Sequence, residues 1–120
     1  MNLIIAGSRS FTDYGRLEKE VLSFLKEHKA KNEKVSIISG RAKGADTLGE
    51  KFADKFGLEK ILMPAEWEKY GKAAGHIRNR VMRGMATHCM VFWDGKSPGS
   101  KNMIDITSEV KSVKLKVVEI

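Results

Sequence analysis

One cysteine, Cys89, leaves the chain no partner for an internal disulfide. No apolar run approaches the roughly 18 residues that a helical membrane span needs. The first residues, Met1 to Ala6, carry no basic leader and are too short for the core of a secretory signal. They read as a strand, and the expectation is a cytoplasmic protein with no membrane association. The Gly-Lys-Ser/Thr of a Walker loop is missing, as is any Gly-x-Gly-x-x-Gly fingerprint. Those absences disfavour a standard nucleotide triphosphatase and a dinucleotide dehydrogenase. No cluster of cysteine and histidine has zinc-ligand spacing, so no metal site is expected and no cofactor is required. Only two prolines occur, Pro64 and Pro98: the first closes the third strand, and the second falls in a run of breakers over 94–99.

What the chain does have is positive charge. Lysine and arginine number 22 against 15 acidic residues, a formal net charge of +7 in 120 residues. That balance favours anionic partners: phosphate-bearing small molecules, single-stranded nucleic acid or acidic protein surfaces. Many of the lysines also fit ordinary solvated helix faces. The length suits a single domain over 1–120 that can bury a core without staples.

Apolar periodicity alternates between two patterns. Short apolar runs at 2–6, 35–39, about 60–63 and 88–93 read as buried parallel strands. Between them, helical spacing predicts a helix over about 13–29 with Leu17, Val21, Phe24 and Leu25 on one face, capped by Asp13 or Thr12. A second helix starts near Gly44, with Ala45, Leu48, Gly49, Phe52, Ala53 and Phe56 inward and Gly57 as C-cap. A third covers about 72–85, with Ala74, Ile77, Val81 and Met85 inward. A fourth covers about 100–111, with Met103, Ile106, Thr107 and Val110 aligned. Val113 to Ile120 mixes apolar and charged residues, as an edge strand does. Strict strand–helix alternation predicts an α/β, Rossmann-like, doubly wound five-stranded parallel sheet with helices on both faces. The favoured strand order is 3-2-1-4-5.

In such a sheet, ligands sit beyond the carboxyl ends of the strands where the strand order reverses. Three loops there hold the candidate binding residues. Gly7-Ser8-Arg9 follows the first strand: glycine allows close approach, the serine can donate, and arginine can pair bidentately with phosphate. Ser39-Gly40-Arg41-Ala42-Lys43-Gly44-Ala45-Asp46 runs from the second strand into a helix N-terminus, where free N–H groups and the helix dipole favour an anion. The same glycines also suit a plain tight turn. The loop after the fourth strand carries Trp93, Asp94, Gly95, Ser97, Gly99 and Ser100. Ser100 is a candidate cap of the last helix, Asp94 a candidate acceptor from ribose or base, and Trp93 either a stacking surface or core. Arg78 and Asn79 lie beside the inward-facing Ile77 and join the candidate binding residues, Arg78 to pair with a phosphate and Asn79 to hold a loop. Arg80 and Arg83 read as a solvated face. His76 is the histidine best placed for a chemical role, ahead of His28 and His88. Cys89 reads as a core residue.

Gly7-Ser8-Arg9-Ser10-Phe11, Ser39-Gly40 with Gly44-Ala45-Asp46 and Gly49-Glu50, Pro64-Ala65-x-Trp67, Ala74-Gly75-x-x-Arg78-Asn79 and Phe92-Trp93-Asp94-Gly95-x-Ser97-x-Gly99 occur in that order. From residue 3 to about 106 the set resembles the YspA/YpsA-related branch of the SLOG superfamily, found in bacteria and phages. The resemblance implies a Rossmann-like fold that binds a nucleotide or nucleotide-derived ligand, as a sensor or sequestering module. Two related groups frame the alternatives. In LOG-type phosphoribohydrolases, which split a nucleotide between base and ribose, a late motif ends in a catalytic glutamate. Met103 stands at that position here, which leaves Glu50 and Asp94 as the candidate catalytic acids of a nucleotide N-glycosidase. The DNA-processing protein A family shares a Gly-Ser-Arg loop and an Arg-Asn-Arg helix like Arg78-Asn79-Arg80, and its members bind single-stranded DNA. A homodimer is also an expectation for domains of this kind.

Overall fold

The computed structural model describes all 120 residues, Met1–Ile120. Five strands form one parallel sheet: β1 (Asn2–Gly7), β2 (Ser36–Ser39), β3 (Glu59–Leu62), β4 (His88–Trp93) and β5 (Lys114–Glu119). Their order is β3-β2-β1-β4-β5, as the alternation predicts. The register centres on β1, where Leu3 faces Ile37 of β2 on one side and His88 of β4 on the other. The helices are α1 (Tyr14–His28), α2 (Ala45–Lys55), the short α3 (Trp67–Tyr70), α4 (Ala74–Met85) and α5 (Pro98–Ser108).

Side chains of a strand alternate between faces, and β1 shows what that does here. Leu3 and Ile5 enter one apolar layer with Leu17, Val21 and Phe24 of α1 and Phe52 of α2. Ile4 and Ala6 enter the other, with Met82 of α4 and Met103 and Ile106 of α5. The sheet is thus covered on both faces, which is why its central strands read as unbroken apolar runs. Cys89 is fully buried in the second layer, and burial pushes its thiol up to about 12.

The termini of the helices explain where the sequence pattern and the structure part. Asp13 caps α1 by accepting from the Arg16 N–H at 3.1 Å. The last helix starts at Pro98, not near residue 100, and Ser97 holds the N-cap position. Proline is suited to the first helical turn because its missing N–H has no partner to lose there. Ser100 is therefore inside the first turn rather than its cap. The helix expected from residue 72 instead starts at Ala74, preceded by α3 and a 3₁₀ turn over Gly71–Ala73. Its inward face also differs. Ala74, Asn79 and Met82 are buried, Ile77 and Met85 are half-buried, and Val81 is 46% exposed. Arg83 leaves the solvated face, donating to the Ile106 carbonyl at 2.8 Å and pairing with Glu109 at 3.5 Å. Phe56 lies at the surface, tilted against Phe52 at a ring separation of 4.6 Å.

Candidate functional site

The strand order reverses between β1 and β4, and a cleft of about 590 Å³ opens at that end of the sheet. Its volume falls in the range of small-molecule sites. Ala6 and Gly7 end β1 at its base, Asp46 comes from the first turn of α2, and Arg78 and Asn79 come from α4. Gly99 and Ser100 enter from the first turn of α5, and Arg9 and Ala42 from the loops after β1 and β2. Eight of the candidate binding residues therefore line one concavity.

The floor between β1 and β4 is fixed by serines and an aspartate. Ser8 is buried, and its Oγ accepts from the Asp94 N–H at 3.0 Å while lying 3.1 Å from Ser97 Oγ. Asp94 Oδ1 accepts from the N–H groups of Lys96 and Ser97, both at 2.8 Å. Those donors hold its carboxyl down at about 2. Ser8 is thus a strut between loops rather than a free phosphate donor, and Asp94 is a turn-forming acceptor outside the cleft. Gly95 sits in the same turn with φ +81°. Trp93 is turned into the second apolar layer, its indole N–H donating to the Ser97 carbonyl at 3.2 Å, which removes it as a stacking surface.

Turning the Ser97 hydroxyl toward Asp94 has a consequence for α5. Ser97 makes no side-chain cap bond to the helix it precedes. The first N–H of that turn with an acceptor is that of Lys101, on the Ser97 carbonyl. Pro98 has no N–H, so those of Gly99 and Ser100 are left without partners at the cleft wall. Helix termini leave such groups free, and together with the dipole they attract anions.

The other wall is built around Arg78. Its Nη1 donates to the carbonyls of Gly40 and, at 3.3 Å, Met63, and its Nε donates to Asn79 Oδ1 at 2.9 Å. Asn79 in turn donates to Asn102 Oδ1 at 3.0 Å, tying α4 to α5. Gly40 lets the backbone pass close to both Arg78 and Asp46. A β-carbon there would meet Arg78 Nη1 at 2.6 Å and Asp46 Oδ2 at 2.8 Å. Gly44, at φ +80°, passes beneath the carbonyls of Ser8 and Arg9. Burial holds the Arg78 guanidinium below its usual range, with Asp46 opposing that and Arg9 adding to it.

Ser39, Ala45 and Arg41 support the site from behind. Ser39 and Ala45 are buried, and Ser39 Oγ donates to Glu50 Oε2 at 2.6 Å. Arg41 is exposed and reaches Glu50 at 3.5 Å. Glu50 is therefore bound up in the β2–α2 joint and does not line the cleft, whose only acidic side chain is Asp46.

Burial pushes Asp46 up to about 6 from 3.8, against the opposing pull of Arg78 and nearby backbone N–H groups. Above 3.8 the unfolded chain gives up this proton readily while the folded chain keeps it until about 6. Stability contributed at this position is thus expected to decline as pH rises through that window, by about 3 kcal/mol. Urea unfolding from pH 3.5 to 7 checks this: Asp46→Asn should flatten the decline, and an unchanged profile would exclude Asp46 as its source.

Lys72, His76, Trp67 and Met103 also line the cleft, with Met82 at its base. No apolar periodicity marks α3 or the 3₁₀ turn, so nothing in the spacing brings Trp67 and Lys72 to the α5 loops. His76 was legible only as a histidine near Arg78.

The family model described as YAcAr, the YspA, cpYpsA-related SLOG family, matches residues 1–70. The Gene 61 protein of Mycobacterium phage D29 is 33% identical over 72 residues, covering 55% of this chain and 58% of that protein. The X-ray structure of DNA processing protein A (DprA) from Streptococcus pneumoniae matches 97% of this chain with a TM-score of 0.70 and 19% identity. The chain spans 49% of that structure, and at this identity the likeness is one of fold.

Proposed function

The chain belongs to the YspA, cpYpsA-related SLOG family, and we propose that it binds a nucleotide or nucleotide-derived phosphate ligand in the cleft between β1 and β4, as a sensor or sequestering module. The observation that carries this reading is the start of α5. Two backbone N–H groups without acceptors, at Gly99 and Ser100, share a cleft with the exposed guanidinium of Arg9. A phosphate there gains charge-assisted hydrogen bonds and relieves the mutual repulsion of Arg9 and Arg78. Arg9 makes no side-chain hydrogen bond or ion pair within the chain, so its replacement separates binding from folding.

Calorimetric titration with nucleoside 5′-phosphates tests the reading. Arg9→Ala should melt with the wild type and lose affinity by about tenfold or more, the worth of a hydrogen bond to a charged group. Equal affinity in both proteins would remove Arg9 from the site.

Single-stranded nucleic acid is the second reading, favoured by the exposed Arg9, Arg41, Lys43 and Lys72 on the loops at this end of the sheet. Binding of that kind would weaken steeply with salt as counterions are released. Hydrolysis of an N-glycosidic bond has less support. Asp94 is held ionised by its turn and Glu50 is engaged behind the loop, so neither stands where it could act on a ligand in the cleft.

A further inference from the structure

Trp67 is 53% exposed, the most exposed of the large apolar side chains. Its helix α3 has no buried residue, so the indole is not what holds that segment to the core. It lies instead along the cleft wall over the start of α4, where its Cη2 is 3.5 Å from the place a β-carbon of Gly75 would occupy. The same cleft is lined on its apolar side by Met82, Met103 and Ala6. The polar end lies elsewhere along the same helix. Asn79, which reaches the Gly99 carbonyl at 3.5 Å, is four residues on from Gly75, a rise of about 6 Å. An aromatic side chain and the anion-attracting start of α5 thus border one cleft, Trp67 beside Gly75 and Gly99 beside Asn79, about one helical turn further along α4.

We propose that Trp67 is a base-stacking wall, so that the ligand is a nucleoside 5′-phosphate and not a sugar phosphate or free phosphate. The proposal rests on the phosphate-binding reading above and adds the second recognition element. An indole face accepts any base, so Trp67 selects for the presence of a base, and edge contacts by His76 and Lys72 are left to discriminate among bases. Stacking on an exposed tryptophan covers apolar surface on both partners without rearranging the core.

The test compares ribose 5-phosphate with AMP, GMP, CMP and UMP by calorimetry, with tryptophan fluorescence recorded on the same samples. The tightest of the four nucleotides should bind the wild type at least about tenfold better than ribose 5-phosphate and quench its emission. Trp67→Ala should lose about tenfold in affinity for that nucleotide while binding ribose 5-phosphate as the wild type does. Trp67→Phe should keep most of the nucleotide affinity and lose the quench. Equal affinities of the wild type for nucleotide and ribose 5-phosphate would overturn the stacking wall and leave the phosphate site standing. So would a Trp67→Ala loss common to both ligands. Absence of binding by every compound to the wild type would overturn both readings. Because the side chain is exposed, circular dichroism melting should show Trp67→Ala folded.

Discussion

Arg78→Ala should lower the melting temperature by about 12 °C and abolish ligand binding together. The guanidinium is the joint between three segments that are distant in the chain: it donates to Gly40 after β2, to Met63 after β3 and to its neighbour Asn79 on α4. Removing it leaves the part-buried Gly40 and Met63 carbonyls without their charged donor and leaves Asp46 without its countercharge. Loss of a charged hydrogen-bonding partner costs about 3 kcal/mol, which for a domain of this size corresponds to about 12 °C. Binding fails with it, because Arg78 lines the cleft and its neighbour Asn79 holds α5 in place. Arg78→Lys should recover little, since one ammonium cannot reproduce a planar fork that serves the Gly40 and Met63 carbonyls and Asn79 at once. Adding Asp46→Asn to Arg78→Ala should restore part of the stability and none of the binding. Differential scanning calorimetry of the three variants checks the order; a wild-type melting temperature for Arg78→Ala would refute the joint.

Gly44→Val is expected to be worse, leaving little folded protein at 37 °C. Two independent costs add. The backbone is at φ +80° and ψ −127°, outside the regions open to a β-branched residue. A β-carbon would also stand 2.2 Å from the Ser8 carbonyl oxygen and 2.6 Å from that of Arg9. Both obstacles are backbone atoms of the loop after β1, and the Ser8 oxygen also accepts from the Ala45 N–H. Relief would mean moving that loop off the N-terminus of α2. Alanine carries the same β-carbon, so Gly44→Ala should fail nearly as badly, by more than about 3 kcal/mol. Gly99→Ala is the contrast, because nothing lies within 4 Å of its β-carbon and a helical alanine outranks glycine. Urea melts of the three proteins give the comparison directly. A Gly44→Ala protein as stable as Gly99→Ala would refute the steric account.

Most of the architecture was legible because it depends on repeated, local signals. The unbroken apolar run of β1, the stripe Leu17, Val21 and Phe24 on α1, and the charged final strand each follow from burial, and the alternation they belong to favours the order β3-β2-β1-β4-β5 that the sheet adopts. The reading failed where polar groups do the work of the core. Asn79 is buried because it joins Arg78 to Asn102, and no hydrophobic pattern can register an inward asparagine, so the inner face of α4 came out rotated toward Val81. At the loops, glycine and serine positions marked where the cleft would lie but not which atoms face it. Ser8, Ser97 and Asp94 all have the composition of ligand groups and spend it on one another. Pro98 opens the first turn of α5, two residues before the start near residue 100 that the spacing predicts.

The central position of β1 bears on the order in which the molecule can be completed during synthesis. The first strand to leave the ribosome pairs with β2 about 34 residues later and with β4 about 85 residues later. Until His88 to Trp93 emerge, the Leu3 to Ala6 segment has one edge unfilled and one face bare, because its cover on that face comes from α4 and α5. The region shared with the family model ends at residue 70, before any of this second half is made. A fragment cut there would expose an apolar strand edge of the kind that seeds aggregation. The unit that folds is accordingly longer than the stretch the family model matches, and the later half must be present before the first strand is safe.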